Sequence, residues 1–240
     1  MSGSMAPLFA HHETLRAVID AAVEGRGGRI MVGRDVALLE WGCYRIPGGD
    51  AAAPGAVDLL ASLRTNCEIV VPEGDPWRDL ALEVHGERVS DRSMRSYVPG
   101  PDLDALTEAA AAAPPPGYEL VRVDGRLARR IGRKLEPHGV EVLGGPDRFA
   151  STGFGHALVR NDEVACAATS YAVTSRAVEV AIATHPDHRR RGLAFCAASA
   201  MIRMALELGL EPHWNAFNPV SQHLADRLGF RFADMCGILM

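Results

Sequence analysis

Three consecutive arginines, Arg189, Arg190 and Arg191, stand directly before Gly192, Leu193 and Ala194 in a chain of 240 residues. The run is suited to holding an anion. Leu193 to Leu208 reads as a helix, and the first N–H groups of a helix have no intrahelical acceptors and carry the positive end of its dipole. Gly192 lets backbone approach a phosphate with no Cβ in the way, and Ala194 keeps the next turn slim. The arginines add charge at the rim, where two-pronged contacts to phosphate oxygens are available. Upstream, Glu179 is the one carboxylate in the run Ala177 to Ala183. It is either a strand-edge charge paired with an arginine or a group that takes a proton. Downstream, Asn218 and Ser221 fit the start of a second helix; capping alone explains them, and a ligand contact in addition is the other reading.

The elements that position these residues follow from periodicity. Tyr118 to Val123 alternates like a half-buried strand, and Arg126 to Leu135 like a short amphipathic helix. Gly155 to Val159 and Val164 to Val173 are β-rich, with Asn161-Asp162 as a tight turn between them. Ala177 to Ala183 forms a third strand that Pro186 terminates. In Leu193 to Leu208 the polar residues Ser199, Arg203 and Glu207 recur every four, giving one narrow wet stripe on a helix otherwise packed all round. His213 to Phe217 is a strand, with Trp214 read as core or cleft wall. Asn218 caps a helix with Pro219 at its first position and Gly229 at its stop, and Phe230 and Phe232 begin a last strand. The order β-α-β-β-β-α-β-α-β gives an α/β (α+β) class with a mixed sheet flanked by helices.

The alanines from Ala109 to Ala113 extend a helix that Pro114, Pro115 and Pro116 end, and a domain boundary is expected there, between residues 1–113 and 117–240. In the first part, Arg29 to Val32, Val36 to Ile46, Glu68 to Val71 and Ser93 to Val98 read as strands, and Val57 to Leu63 and Trp77 to Val84 as helices. That order is either a degenerate, catalytically silent copy of the second part or an unrelated smaller α+β domain.

The hexapeptide Arg189 to Ala194, with Arg189, Gly192 and Ala194 at the defining positions, resembles the acetyl-CoA signature Arg/Gln-x-x-Gly-x-Gly/Ala of the GNAT superfamily of N-acetyltransferases. The upstream strand ending in x-x-Pro, the long helix, and Asn218-x-x-Ser221-x-x-Leu224-x-x-x-Leu228-Gly229-Phe230 are similar to the family's cofactor-binding end. The resemblance covers about 117–240. The stretch Glu68 to Val98, with Trp214-Asn215-Ala216, resembles a bacterial subgroup carrying an extra N-terminal region. The resemblance implies that the strand Glu179 to Thr184 splays from His213 to Phe217. Pantetheine then pairs with the backbone of Ile182, Ala183 and Thr184. It places the pyrophosphate at the loop Arg189, Arg190, Arg191, Gly192, Leu193 and Ala194, and Asn218 and Ser221 near the pantetheine or thiol end. Glu179 becomes the base for a primary amine of a small molecule or peptide attacking directly in a ternary complex. The family's usual tyrosine acid, seven residues after the asparagine, is Ala225 here; His223, Tyr171 or solvent stands in.

Composition sets bounds. The chain is 48% hydrophobic and 23% charged, enough for a packed core. No apolar run reaches the roughly 20 residues that span a bilayer, and no secretory signal is read at the start, where Met1 to Ser4 resembles a cloning remnant. Five scattered cysteines argue against a disulfide framework and for a reducing cytoplasm, with Cys166 and Cys196 as inert packing. Residues 1–116 carry ten basic and seventeen acidic residues (net −7), whereas 117–240 carry fifteen and thirteen (net +2). Only the second part leans towards an anionic ligand. An acidic chain without a basic stripe interleaved with aromatics excludes nucleic-acid binding. His185 and His188 are read as solvent-facing, with no metal expected. A non-catalytic acetyl-CoA-binding sensor or scaffold is the competing function. Oligomeric state, including a homodimer, is left open.

Overall fold

The computed structural model describes residues 5–63, 67–86, 91–111, 114–135 and 137–239, so Met1 to Ser4 and two of the boundary alanines, Ala112 and Ala113, lie outside the described residues. Its first elements are α1 (Arg16–Val23), β1 (Arg29–Val32), β2 (Val36–Trp41), β3 (Tyr44–Gly49), α2 (Ala56–Ala61), β4 (Glu68–Pro72), α3 (Pro76–His85) and β5 (Asp91–Pro99). There follow α4 (Leu103–Ala111), β6 (Glu119–Arg122), α5 (Gly125–Lys134), α6 (Pro137–Val142), α7 (Pro146–Thr152), β7 (Gly155–Arg160), β8 (Glu163–Val173) and β9 (Ala177–Thr184). The last are α8 (Leu193–Glu207), β10 (Glu211–Ala216), α9 (Pro219–Leu228) and β11 (Phe230–Leu239).

These elements form two compact units, Met1–Ser96 with Ala233–Met240, and Tyr97–Phe232. The division runs through β5 and β11, not at the proline run. The reason is α4, which packs on α8 within the second unit. Leu103 and Thr107 are buried, Asp104 pairs with Arg203 of α8, and Gly100 N–H donates to the Gly229 carbonyl at 3.0 Å. The prolines interrupt a connection without separating cores.

In the second unit β6, β7, β8 and β9 are antiparallel neighbours in sequence order, and β10 runs parallel to β9. Asn161 and Asp162 take φ of 48° and 60°, the left-handed pair that a two-residue hairpin turn demands. The core gathers Leu158, Ala165, Val178, Cys196, Met201, Ile202, Trp214 and Phe230. The expected wet stripe narrows: Ser199 is fully buried, and only Arg203 and Glu207 reach water. Between α5 and β7, where the sequence pattern placed no element, α6 and α7 form two short helices. Gly144 and Gly145, at φ of 94° and 89°, break the chain between them and Pro146 starts the second. Six or seven residues are too few for a 3.6-residue period to register.

In the first unit β1, β2 and β3 are antiparallel, β4 runs parallel to β3, and β11 pairs antiparallel with β4. The single strand expected from Val36 to Ile46 is the hairpin β2–β3. Its reversal is at Gly42, where φ is 58°, and Trp41 faces Tyr44 across the ladder. Helix α1 adds an element that the sequence pattern did not reveal. The core here includes Leu60, Ile69, Val71, Trp77 and, from the far end of the chain, Leu239.

Candidate active site

The parallel ladder between β9 and β10 is short. It joins Glu211 to Ala177, Pro212 to Val178 and His213 to Glu179, and stops there. On its other side β9 stays paired with β8 as far as Thr184. From Val180 onward, β9 therefore offers backbone groups on the β10 side that no strand uses. Ala181, Ile182, Ala183 and Thr184 are half-buried, as befits an open edge within a cleft. This is the splay that the resemblance implied, and such an edge accepts an extended chain as an added strand.

Glu179 sits at the vertex of the splay. It is 4% exposed. Burial pushes its carboxyl up to about 8, and hydrogen bonding to Asn215, through side chain and backbone, pulls part of the way back. Its second oxygen, Oε2, is buried with no hydrogen-bond partner among the described residues. The strand-edge reading, in which an arginine neutralises Glu179, does not hold: the partner is a neutral amide. The sequence reading named Asn215 only within the run Trp214-Asn215-Ala216 and gave it no part beside Glu179. It lies two residues beyond His213, the register partner of Glu179, and only the ladder brings the two together.

Beside this point β8 bulges. Ser170 faces Val180 and Ala172 faces Glu179, so Tyr171 is the extra residue. Bulges re-aim side chains and are common next to active sites. Tyr171 is 9% exposed. His223 is exposed on α9, whereas Ala225 is fully buried in the core, so the family's usual tyrosine position carries no proton donor.

At the far end of β9, a single turn from Pro186 to His188 leads into the arginines. Arg189 Nε donates to the Thr184 carbonyl at 3.3 Å, and Arg191 donates to the Asp187 carbonyl at 3.1 Å and to the Tyr118 hydroxyl at 3.3 Å. Arg190 takes a left-handed φ of 59°. Gly192 caps α8 at φ 76° without any side-chain acceptor on the helix start. A Cβ built on Gly192 would meet nothing within 4 Å. The glycine is therefore placed by backbone conformation and faces open space, not protein. Cys196 donates the first helical bond, to Gly192, and the amides ahead of it are the groups a helix leaves without acceptors. The three arginines are exposed, so their charge is available to a ligand.

Asn218 and Ser221 have structural partners. Asn218 Oδ1 accepts from Ser221 N at 2.9 Å as the N-cap of α9, and Ser221 Oγ accepts from Trp214 Nε1 at 3.0 Å. Trp214 is 1% exposed and belongs to the core. The five cysteines form no disulfide, and burial pushes the Cys166 thiol up to about 12, in line with packing and not reactivity.

A family model for the GNAT acetyltransferases matches residues 6–238. The chain belongs to this family. The match takes in both units, where the sequence motifs alone had reached back only to about residue 117. This GNAT acetyltransferase is 30% identical over 142 residues to the uncharacterised N-acetyltransferase YdfB of Bacillus subtilis (strain 168). The match takes in 54% of each chain, so it spans about half the length of that relative. Its fold is that of a GCN5-related N-acetyltransferase-like protein from Streptococcus suis 89/1591, with a TM-score of 0.83 and 23% identity over 98% of this chain and 95% of that one. It also resembles a GCN5-related N-acetyltransferase from Kribbella flavida (TM-score 0.61, 18% identity, 95% of each chain). A tandem GNAT protein from the clavulanic acid biosynthesis pathway matches at a TM-score of 0.62 with 14% identity, over 97% of this chain and 91% of that one. The protein is thus a member of the GNAT acetyltransferase family with a mixed α/β sheet flanked by helices. No helix among its described residues is long and apolar enough to cross a membrane.

Proposed function

We propose that this enzyme transfers acetyl from acetyl-CoA to a primary amine of a small molecule or peptide, by direct attack in a ternary complex in the cytoplasm. The observation that carries the reading is the coincidence, within one unit, of an open strand edge, open space beside Gly192 and a buried carboxyl at the splay. The backbone of Ile182, Ala183 and Thr184 holds pantetheine. The amides at Gly192, Leu193 and Ala194 hold the pyrophosphate, with Arg189, Arg190 and Arg191 around it. Asn218 and Ser221, already joined in the cap, border the thiol end. Bound there, acetyl-CoA supplies a thioester carbonyl that an amine attacks, the C–N bond forming as the C–S bond breaks.

Glu179 removes the proton that the ammonium must lose, directly or through one water. A carboxyl near 8 is a stronger base than an ordinary glutamate, and its unpartnered Oε2 is the atom to receive the proton. Asn215 fixes the other oxygen and so the orientation. Of the alternative donors to the thiolate, Tyr171 is the one set beside Glu179 by the bulge.

The first unit supports a further part of the proposal, that it is a degenerate copy without cofactor. Like the second, it runs from an antiparallel meander through a helix to a parallel strand and then to a helix begun by an Asx-Pro pair, Asp75-Pro76 against Asn218-Pro219. Its parallel ladder also stops early, at Arg45 and Ile69. Here the edge beyond is filled by the protein itself. A Cβ on Gly48 would lie 2.7 Å from the Leu8 carbonyl and from the Phe9 ring, and His12 Nε2 donates to the Pro47 carbonyl at 2.9 Å. Burial depresses the His12 ring to about 3, so it stays neutral there.

The test is twofold. Acetyl-CoA is expected to raise the melting temperature, and an amine panel to release free thiol detectable with a disulfide reagent. Binding without thiol release from any amine would favour the sensor reading; no binding would remove acetyl-CoA.

A further inference from the structure

Two histidines read from sequence as solvent-facing meet a carboxylate. His185 and His188 bracket the turn after β9, and Glu163 begins β8. One donor atom from each lies within 4.8 Å of the other two. The His188 side chain is only 12% exposed. Its Nε2 is 3.5 Å from Glu163 Oε2, beyond the 2.7–3.2 Å range typical of a well-formed N–H···O bond. The separation instead suits two ligands of one ion, since bonds of about 2.0–2.1 Å at a tetrahedral angle set donor atoms about 3.3 Å apart. The His185 ring stands 5.7 Å from that of His188, centre to centre.

Groups around the cluster strengthen the case. His188 Nδ1 lies 2.8 Å from the Tyr118 hydroxyl, and the same oxygen accepts from Arg191 at 3.3 Å. With its proton on Nδ1 and directed at Tyr118, His188 presents an Nε2 lone pair on the side of Glu163. Metal-bound histidines are held in this way, by a hydrogen bond at the other ring nitrogen.

We propose that Glu163, His185 and His188 form a binding site for a divalent transition-metal ion, with zinc the best match and water as the remaining ligand. Two imidazoles and one carboxylate are borderline donors that suit zinc, cobalt or nickel and not magnesium, which demands oxygen. The ion ties the β7–β8 hairpin to the turn that feeds Arg189 to Ala194. Through Tyr118 it also reaches Arg191. Its role is to steady the backbone ahead of the anion loop, and it takes no part in acetyl transfer. The site does not depend on the identity of the acyl donor.

The experiment uses full-length, tag-free protein stripped with a chelator and then titrated with cobalt(II), zinc(II) or magnesium(II). One equivalent of cobalt is expected to give the visible ligand-field absorption of a tetrahedral site. Zinc should displace it, and magnesium should not. His188→Ala and Glu163→Gln are each expected to weaken binding by about 10-fold or more, and so is Tyr118→Phe, which removes the hydroxyl that meets both His188 Nδ1 and Arg191. His11→Ala, distant in sequence, leaves binding unchanged. Absent ligand-field bands, or bands that survive His188→Ala at full affinity, would show a loose ion pair and overturn the site. If His188→Ala fails to fold, the Glu163→Gln and Tyr118→Phe titrations decide.

Discussion

At the scale of residues, the proposed reaction chemistry rests on a single carboxyl. Glu179 is buried, held on one oxygen by Asn215, and protonates near 8 in place of 4.5. The folded state therefore binds a proton between pH 4.5 and 8 that the unfolded chain has lost. Stability from this site falls as pH climbs through that window. Glu179→Gln keeps the shape without the charge. It is expected to melt with the wild type at pH 4 and above it at pH 9, by an amount on the order of a few kcal/mol. Turnover in the same variant should drop by about 10²- to 10⁴-fold, the span of general-base effects. Wild-type turnover should rise with pH and level off above about 8; a flat profile would take the proton transfer away from this residue. Gly192 is the second decisive residue. Gly192→Glu places a charged side chain in open space at a left-handed φ, at a conformational cost of about 1 kcal/mol. Folding survives while acetyl-CoA affinity falls by about 100-fold or more, on the order of 3 kcal/mol; calorimetric titration reads both the loss and, with a melting curve, the intact fold.

Elements decide how well these residues are held. Helix α8 begins at the amides proposed to hold the pyrophosphate and packs on β7, β8 and β9 and on α4 along its length. Its sequence announces a buried helix, but Ser199 was legible only as part of a polar stripe. The serine hydroxyl is instead buried with no partner among the described residues. An unsatisfied buried hydroxyl costs about 1 kcal/mol or more. Ser199→Ala is thus expected to raise stability by about 1 kcal/mol in urea unfolding, with turnover unchanged; destabilisation would reveal a hidden partner. The splay of β9 from β10 belongs to the same scale. Strand identity was readable from apolar runs, while the residue at which pairing ends depends on register. The bulge at Tyr171 is likewise a property of the ladder. No periodicity marks it, because an extra residue in one strand leaves the local alternation almost intact.

For the whole molecule, the two units repeat one progression but differ in what lies against the parted strands. On the proposal that the first unit is a degenerate copy, Phe9 and His12, which lie against Gly48 and Pro47, fill the place that stays open beside Ile182 to Thr184 in the second. Titration should therefore show one acetyl-CoA per chain; two equivalents would mean that the first cleft is not closed. Chain order and mutual contact also diverge here. Pro114, Pro115 and Pro116 bar a helix from continuing through them, and α4 is described as far as Ala111 ahead of them. They did not fix where a core ends, because α4 turns back onto α8 and β11 crosses to complete the strand set beside β4. Determined by the sequence alone were the features set by neighbours along the chain. These are the arginine-glycine start of α8, the Asn218-Pro219 cap, the left-handed Asn161-Asp162 turn and the strand carrying Glu179. The tertiary structure alone decided the features that join distant residues: the Asn215 bond that orients Glu179, the grouping of Glu163 with His185 and His188, and the filling of one cleft but not the other. Contacts of that kind depend on register and packing between segments, which no local period records.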